Sequence, residues 1–272
     1  MSLLNRLEKF RRLARWRFAG GATLPVWWHV GRPNFGDDIN PSFFEAIGGR
    51  RVRFAADPRR PHLLGAGSIL GRATPASIVC GSGLLEPPSG SAGRPGRLVA
   101  VRGEKSAEAL AAPAETFLGD PLVLVDTLVE PQPTRHPVGI IPHVRSVARW
   151  RARAPRGALL LDPGLEPWRL IREIAACELI LSQSLHGLIV ADAFGIPNVW
   201  IAPSEAMAGG RFKFDDYFST LDDPKECVPE AAALASRPDT LPARVGRYRF
   251  SKSAYRARLA AVCREFTPAP AC

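Results

Sequence analysis

The sequence predicts an α/β protein made of two Rossmann-like halves, and three observations carry that expectation. From Pro25 onward, short apolar runs of strand length alternate with helical stretches, the pattern of parallel sheets covered by helices. The 272 residues suffice for two units of about 100–150 residues each. Near the middle, Pro131-Gln132-Pro133-Thr134-Arg135-His136-Pro137 breaks the alternation and reads as a linker, giving domains at 1–133 and 134–272.

Residues 1–18 open the chain as a basic amphipathic helix. Leu3, Leu7, Phe10 and Ala14 fall at helical spacing, with Arg6, Lys9, Arg11, Arg12, Arg15 and Arg17 around the remaining face. Two readings stand side by side. The helix either lies on an anionic membrane surface, with about 1 kcal/mol of attraction per basic residue, or packs its apolar stripe on the protein body. Strands of the first half are expected at 25–30, 62–66, 77–82 and 98–102, with helices at 40–48 and 103–112. The second series places strands at 138–142, 157–161, 178–182 and 198–201, and helices near 167–177 and 187–194. A terminal helix is expected over 251–266.

Composition narrows the function classes. With 46% hydrophobic and 23% charged residues the chain is that of a folded globule. The net charge of +10, from 36 Lys+Arg against 26 Asp+Glu, favours acidic partners, although an Arg-, Ala- and Pro-rich composition also follows from genomic base composition. Nucleic acid is not an expected partner, because the basic residues are scattered and no nucleic-acid-binding signature occurs. Five widely spaced cysteines without a CxxC pair argue against a disulfide framework or a thiolate zinc site and suit a reducing, cytoplasmic setting. No signal-peptide core and no run of about 18 apolar residues is present. The five histidines lack metal-ligand spacing, so neither metal nor cofactor is expected. GxSxG, Walker A and GxGxxG patterns are absent.

Three loops fall at the carboxyl ends of expected strands, the edge where open α/β sheets bind ligands. Ser182-Gln183-Ser184-Leu185-His186-Gly187 joins a buried-looking strand to a helix whose first-turn N–H groups favour an anion. There His186 is the candidate proton donor or anion ligand, with a structural histidine as the plainer alternative. In Asn34-Phe35-Gly36-Asp37-Asp38-Ile39-Asn40-Pro41, the Asn and Asp residues can cap a helix starting near Pro41. Equally, Gly36 permits close backbone approach and the paired carboxylates can bond a sugar hydroxyl or take its proton, Asp37 ahead of Asp38. Arg102, in Val101-Arg102-Gly103-Glu104-Lys105-Ser106, is positioned for bidentate contact with phosphate or carboxylate. Gly65-Ala66-Gly67-Ser68, Gly81-Ser82-Gly83, Leu118-Gly119-Asp120-Pro121, His143 and Lys213-Phe214-Asp215-Asp216-Tyr217-Phe218 are weaker candidates.

These loops, with Leu118-Gly119-Asp120-Pro121, the run from Ser182 to Gly195-Ile196-Pro197-Asn198, and Lys213 to Phe218, resemble the polysaccharide pyruvyl transferase family, in particular its ketolase-like exopolysaccharide members. The resemblance implies a GT-B-like pair of domains, an acceptor side in 1–133 and a donor side in 134–272, with an interdomain cleft and the terminal helix returning to the first domain. It further implies phosphoenolpyruvate as donor and a lipid-linked exopolysaccharide repeat unit as acceptor, joined as a ketal with release of phosphate. On that reading His186 is the general acid and Asp37 the base. Arg102, Ser184, Leu185 and Gly187 hold the donor, and Asn34, Gly36 and Asp38 the acceptor. Some family members carry arginine where this chain has Ser184. The expected location is cytoplasmic, peripheral at the inner membrane face through residues 1–18. A nucleotide-sugar glycosyltransferase and a non-catalytic glycan-binding subunit remain alternatives.

Overall fold

The computed structural model describes residues 11–88, 93–202 and 209–266. Leu3, Arg6, Leu7, Lys9 and Phe10 of the expected amphipathic helix lie outside the described residues. Within them, 11–17 form helix α1. Leu13 is buried in the core, and Arg12 pairs with Asp38 and donates to the Gly31 carbonyl at 2.9 Å. Arg11, Arg15 and Arg17 are exposed. This turn therefore packs its apolar side on the body while keeping a basic outer face.

The first half forms a six-stranded parallel sheet from β1 (Leu24–Trp27), β2 (Val52–Phe54), β3 (His62–Leu64), β4 (Ser77–Cys80), β5 (Arg97–Val101) and β6 (Phe117–Leu118). Its order is β2-β1-β3-β4-β5-β6. The second half forms a five-stranded parallel sheet from β7 (His136–Ile141), β8 (Leu159–Leu160), β9 (Cys177–Ser182), β10 (Asn198–Ile201) and β11 (Cys227–Val228), ordered β11-β10-β9-β7-β8. Read outward from β8, this is the same winding as in the first sheet. β2, β6 and β11, of two or three residues each, are too short for side-chain alternation to announce, and β8 keeps only the centre of the strand expected at 157–161.

Between strands lie α2 (Phe35–Asp38), α3 (Asn40–Gly48), α4 (Glu104–Ala109), α5 (Val147–Arg153), α6 (Pro167–Ala175), α7 (Leu185–Ala193) and α8 (Phe212–Phe218), and after the last strand come α9 (Glu230–Ala235) and α10 (Lys252–Glu265). The capping expected at Pro41 is placed differently. Asn34 caps the extra turn α2, its side chain accepting from the Gly36 N–H, and α3 follows from Ile39 with no side-chain cap.

Leu185 to Asp192 of α7 are all buried, and the helix packs on the 3-10 turn Pro121–Thr127 of the first half. A helix apolar all round needs cover on every side; here both halves supply it, so one hydrophobic cluster runs from Phe35 and Leu122 to Leu188 and Ile189. The final helix α10 lies on α3. Arg50 donates to the Cys263 and Phe266 carbonyls at 3.0 and 2.8 Å, and the Tyr255 hydroxyl donates to the Gly119 carbonyl at 2.8 Å. Among the described residues no helix is long and apolar enough to cross a membrane.

Candidate active site

In each sheet the winding reverses once, between β1 and β3 and between β7 and β9. The crevice beyond the strand ends at such a reversal is where an open parallel sheet has room for a ligand, because the flanking connections depart to opposite sides. One cavity of about 380 Å³ is lined from all four of these ends. Asn34 and Asp37 follow β1, and Ser68 follows β3. His143 follows β7, while Gln183, Ser184, Leu185 and His186 follow β9. Arg72 and Lys213 complete the lining with positive charge.

His186 occupies the first turn of α7, largely buried, with its ring 6.2 Å from that of Phe35 in an edge arrangement. Its Nε2 lies 3.7 Å from Oδ2 of the fully buried Asp120, and neither atom has a hydrogen-bond partner among the described residues. Asp120 Oδ1 accepts from the Leu122 N–H at 3.0 Å. Burial lowers the imidazole pKa to about 3, and the charges of Arg102 and Lys213 push the same way. Burial raises the Asp120 carboxyl to about 6. At neutral pH the pair is a neutral imidazole beside a carboxylate. An imidazolium poised to give a proton, the acid role expected for His186, does not fit this environment. The Nδ1 edge lies over Gly36, so closely that a Cβ there would fall 1.8 Å from Nδ1. Gly36 is thus a contact surface for the imidazole.

Asp37 reaches the cavity and accepts from Asn34 Nδ2 at 3.0 Å. Desolvation by the cavity walls, helped by the Asp38 charge, raises its pKa to about 7. Asp38 does not line this cavity. It pairs with Arg12, accepts from the Asn34 N–H and faces a second groove across α2.

Arg102 is also placed elsewhere than expected. Its side chain is fully buried, 2.9 Å from Asp216, and it donates to Ser68 Oγ at 2.7 Å and to the Leu84 carbonyl. Asp216 in turn accepts from Ser106 N and Oγ at 2.9 and 2.6 Å. With its donors committed, Arg102 sits one layer behind the cavity. It holds Ser68 and ties α8 to the first half. Gly187 is likewise internal, since a Cβ there would fall 2.5 Å from Ser182 Oγ. The cavity cations are Lys213 and Arg72. Burial lowers the Lys213 pKa to about 8, leaving it charged at neutrality. His143 is lowered by burial to about 4 and is neutral. At the position of the family arginine, Ser184 instead caps α7, accepting from Gly187 N at 3.4 Å. Sequence reasoning ranked Lys213 and Asp120 low and missed Arg72, which no motif flanks; Lys213 and Asp120 stood in recognisable stretches without a visible partner.

The polysaccharide pyruvyl transferase model matches residues 94–205. The succinoglycan biosynthesis protein ExoV of Rhizobium meliloti is 32% identical over 210 residues, covering 72% of this chain and 64% of that protein. The match therefore spans slightly less than two thirds of that relative's length. An uncharacterized protein of Acanthamoeba polyphaga mimivirus is 29% identical over 113 residues, 38% of this chain and 39% of that protein. A solved structure of an uncharacterized Klebsiella pneumoniae protein superposes with a TM-score of 0.41 at 10% identity, covering 84% of this chain and 99% of the other.

Three outcomes follow from the site's construction. Replacing Arg102 by alanine leaves Asp216 buried without its cation and should cost about 3–5 kcal/mol, read from urea unfolding. Gly36→Ala must displace the His186 ring, so catalytic turnover should fall while the far-UV spectrum stays native. The folded Asp37 pKa, about 7, lies above the 3.8 of an unperturbed carboxyl, so the folded state binds this proton more tightly. The stability this gives is complete below pH 3.8 and lost as pH rises to about 7. Asp37→Asn escapes that loss, and its Tm relative to the parent should be higher at pH 8 than at pH 4.

Proposed function

We propose that this chain, which belongs to the polysaccharide pyruvyl transferase family, moves the pyruvyl group of phosphoenolpyruvate onto a sugar of a lipid-linked exopolysaccharide repeat unit as a cyclic ketal, releasing phosphate. The observation carrying the reading is the cavity's charge pattern. Two cations, Lys213 and Arg72, share it with a carboxyl titrating near neutrality and an imidazole backed by a carboxylate. A small donor bearing a carboxylate and a phosphate matches the cations, and enol-ether chemistry needs one group to give a proton and another to take one.

On this reading Lys213, Arg72 and the amino end of α7 at Ser184 and Leu185 hold the donor's anionic groups. Protonated Asp37 gives its proton to the methylene carbon, and C2 gains oxocarbenium character. A sugar hydroxyl forms a bond to C2 and its proton passes to the His186 imidazole. The Asp120 carboxylate stabilises the resulting imidazolium, and Asn34 holds Asp37 in register. The C2–O bond to phosphate then breaks, phosphate leaves with the electron pair and takes the proton from His186. A second hydroxyl of the same sugar closes the ketal, its proton restoring Asp37. His186 and Asp37 thus exchange the roles that the sequence alone suggested, because burial acts oppositely on an imidazole and a carboxyl.

The exposed arginines of α1 supply a surface suited to anionic lipid headgroups, in keeping with a lipid-linked acceptor and a peripheral place at the inner membrane face.

The test is phosphate release from phosphoenolpyruvate with lipid-linked oligosaccharide fractions, followed by mass analysis of the product. Asp37→Asn and His186→Ala should each lose about 10²–10⁴-fold in kcat. Near-full transfer by His186→Ala would remove the proton-transfer role. Because Asp37 must carry a proton at the start of the cycle, kcat/KM should fall as pH rises through about 7. Loss of the Lys213 charge near pH 8 steepens that fall. Phosphoenolpyruvate, and not a nucleotide sugar, should raise the Tm; the opposite result would point to glycosyl transfer.

A further inference from the structure

We infer that the groove across α2 from the catalytic cavity is a subsite for neutral pyranose residues of the acceptor, adjoining the residue that receives pyruvate. This rests on the reading above that the acceptor is a glycan. The groove has a volume of about 660 Å³, within the ~300–1,000 Å³ typical of ligand sites. Three indoles, Trp16, Trp28 and Trp168, and three carboxylates, Asp38, Glu45 and Glu166, line it. A pyranose has an apolar C–H face and an equatorial rim of hydroxyls, which a flat aromatic surface edged by carboxylates complements.

Trp168 is the indole best placed for this use. It is half-buried, packed on the core, and has no ring partner and no Nε1 hydrogen bond among the described residues. Trp16 is faced by Arg15 at 4.5 Å and lies edge-on to Trp28. The charges favour a neutral ligand. Arg12 is spent on Asp38, and Arg15 is 3.8 Å from Glu45, so among the described residues no unpaired cation cluster in the groove invites a phosphate or uronate.

Position makes the groove part of the same path. Neighbouring residues divide between the two concavities: Asn34 and Asp37 line the cavity, whereas Pro33 and Asp38 line the groove. On the facing segment Pro163 lines the cavity and Gly164 the groove. The wall between them is the single turn α2, pinned to the other half by the Phe35 N–H donating to the Pro163 carbonyl at 2.8 Å. A sugar at Asp37 therefore has its glycosidic neighbour within one turn of helix of the groove.

The experiment is calorimetric titration of the full chain, without phosphoenolpyruvate, with neutral gluco- and galacto-oligosaccharides of two to six residues. It is paired with phosphate-release kinetics on an oligosaccharide and on a monosaccharide glycoside. Wild type should bind the longer sugars. Trp168→Ala should weaken that binding about tenfold and raise the oligosaccharide KM equally, leaving the phosphoenolpyruvate KM and monosaccharide turnover unchanged. Trp168→Phe, which keeps an aromatic face and the packing, should lose less. Absence of sugar binding by wild type, or unaltered affinity and KM in a folded Trp168→Ala, would overturn the subsite. Binding that depends on Trp168 without phosphate release from any acceptor would retain the subsite and discard the catalytic reading.

Discussion

The buried ion pair between Arg102 and Asp216 is the constraint on which the site depends. Both side chains are wholly removed from solvent, 2.9 Å apart, and belong to different halves of the chain. Desolvating two charges is costly unless every donor and acceptor is met. Ser68, Leu84 and Ser106 meet them here. Once met, the arrangement permits one seating of α8 on the first half, and Lys213 projects from that helix into the cavity. Gly103 lets this contact close, since a Cβ there would fall 1.7 Å from the Asp216 carbonyl oxygen. The arginine expected to hold the ligand instead fixes the geometry of the lysine that lines the cavity.

Burial also divides the titrating groups. The same low-dielectric walls push Asp37 and Asp120 up and His186, His143 and Lys213 down. Near neutrality this yields a carboxyl able to carry a proton, an imidazole able to accept one, and a lysine that stays charged. Within a cavity of about 380 Å³, the protonation states of these groups are separated by environment more than by residue type. The family match over residues 94–205 and this pattern are the two supports of the transfer proposed above.

The segment 33–38 has a double role. Its single helical turn presents Asp37 to one concavity and Asp38 to another, so adjacent carboxylates acquire different partners. One remains desolvated and titrates near neutrality, while the other is paired with Arg12. In the proposed reaction this division would separate the reacting centre from the surface assigned to the rest of the glycan, without an added domain.

Much of this was legible in the sequence. Alternating apolar runs announced the longer strands and helices, and the loops after β1 and β9 announced Asp37 and His186, because a parallel sheet places strand carboxyl ends at one edge whatever the details of packing. The partners of those residues were not legible. Asp120 lies 66 positions before His186, and Asp216 lies 114 after Arg102; no local periodicity encodes a contact across such separations. Nor could sequence tell that Arg102 would be buried and Lys213 would face the cavity, or that His186 would be neutral. Those outcomes follow from which side chains lose water when the two halves close around α7, and desolvation is a property of the packed structure alone.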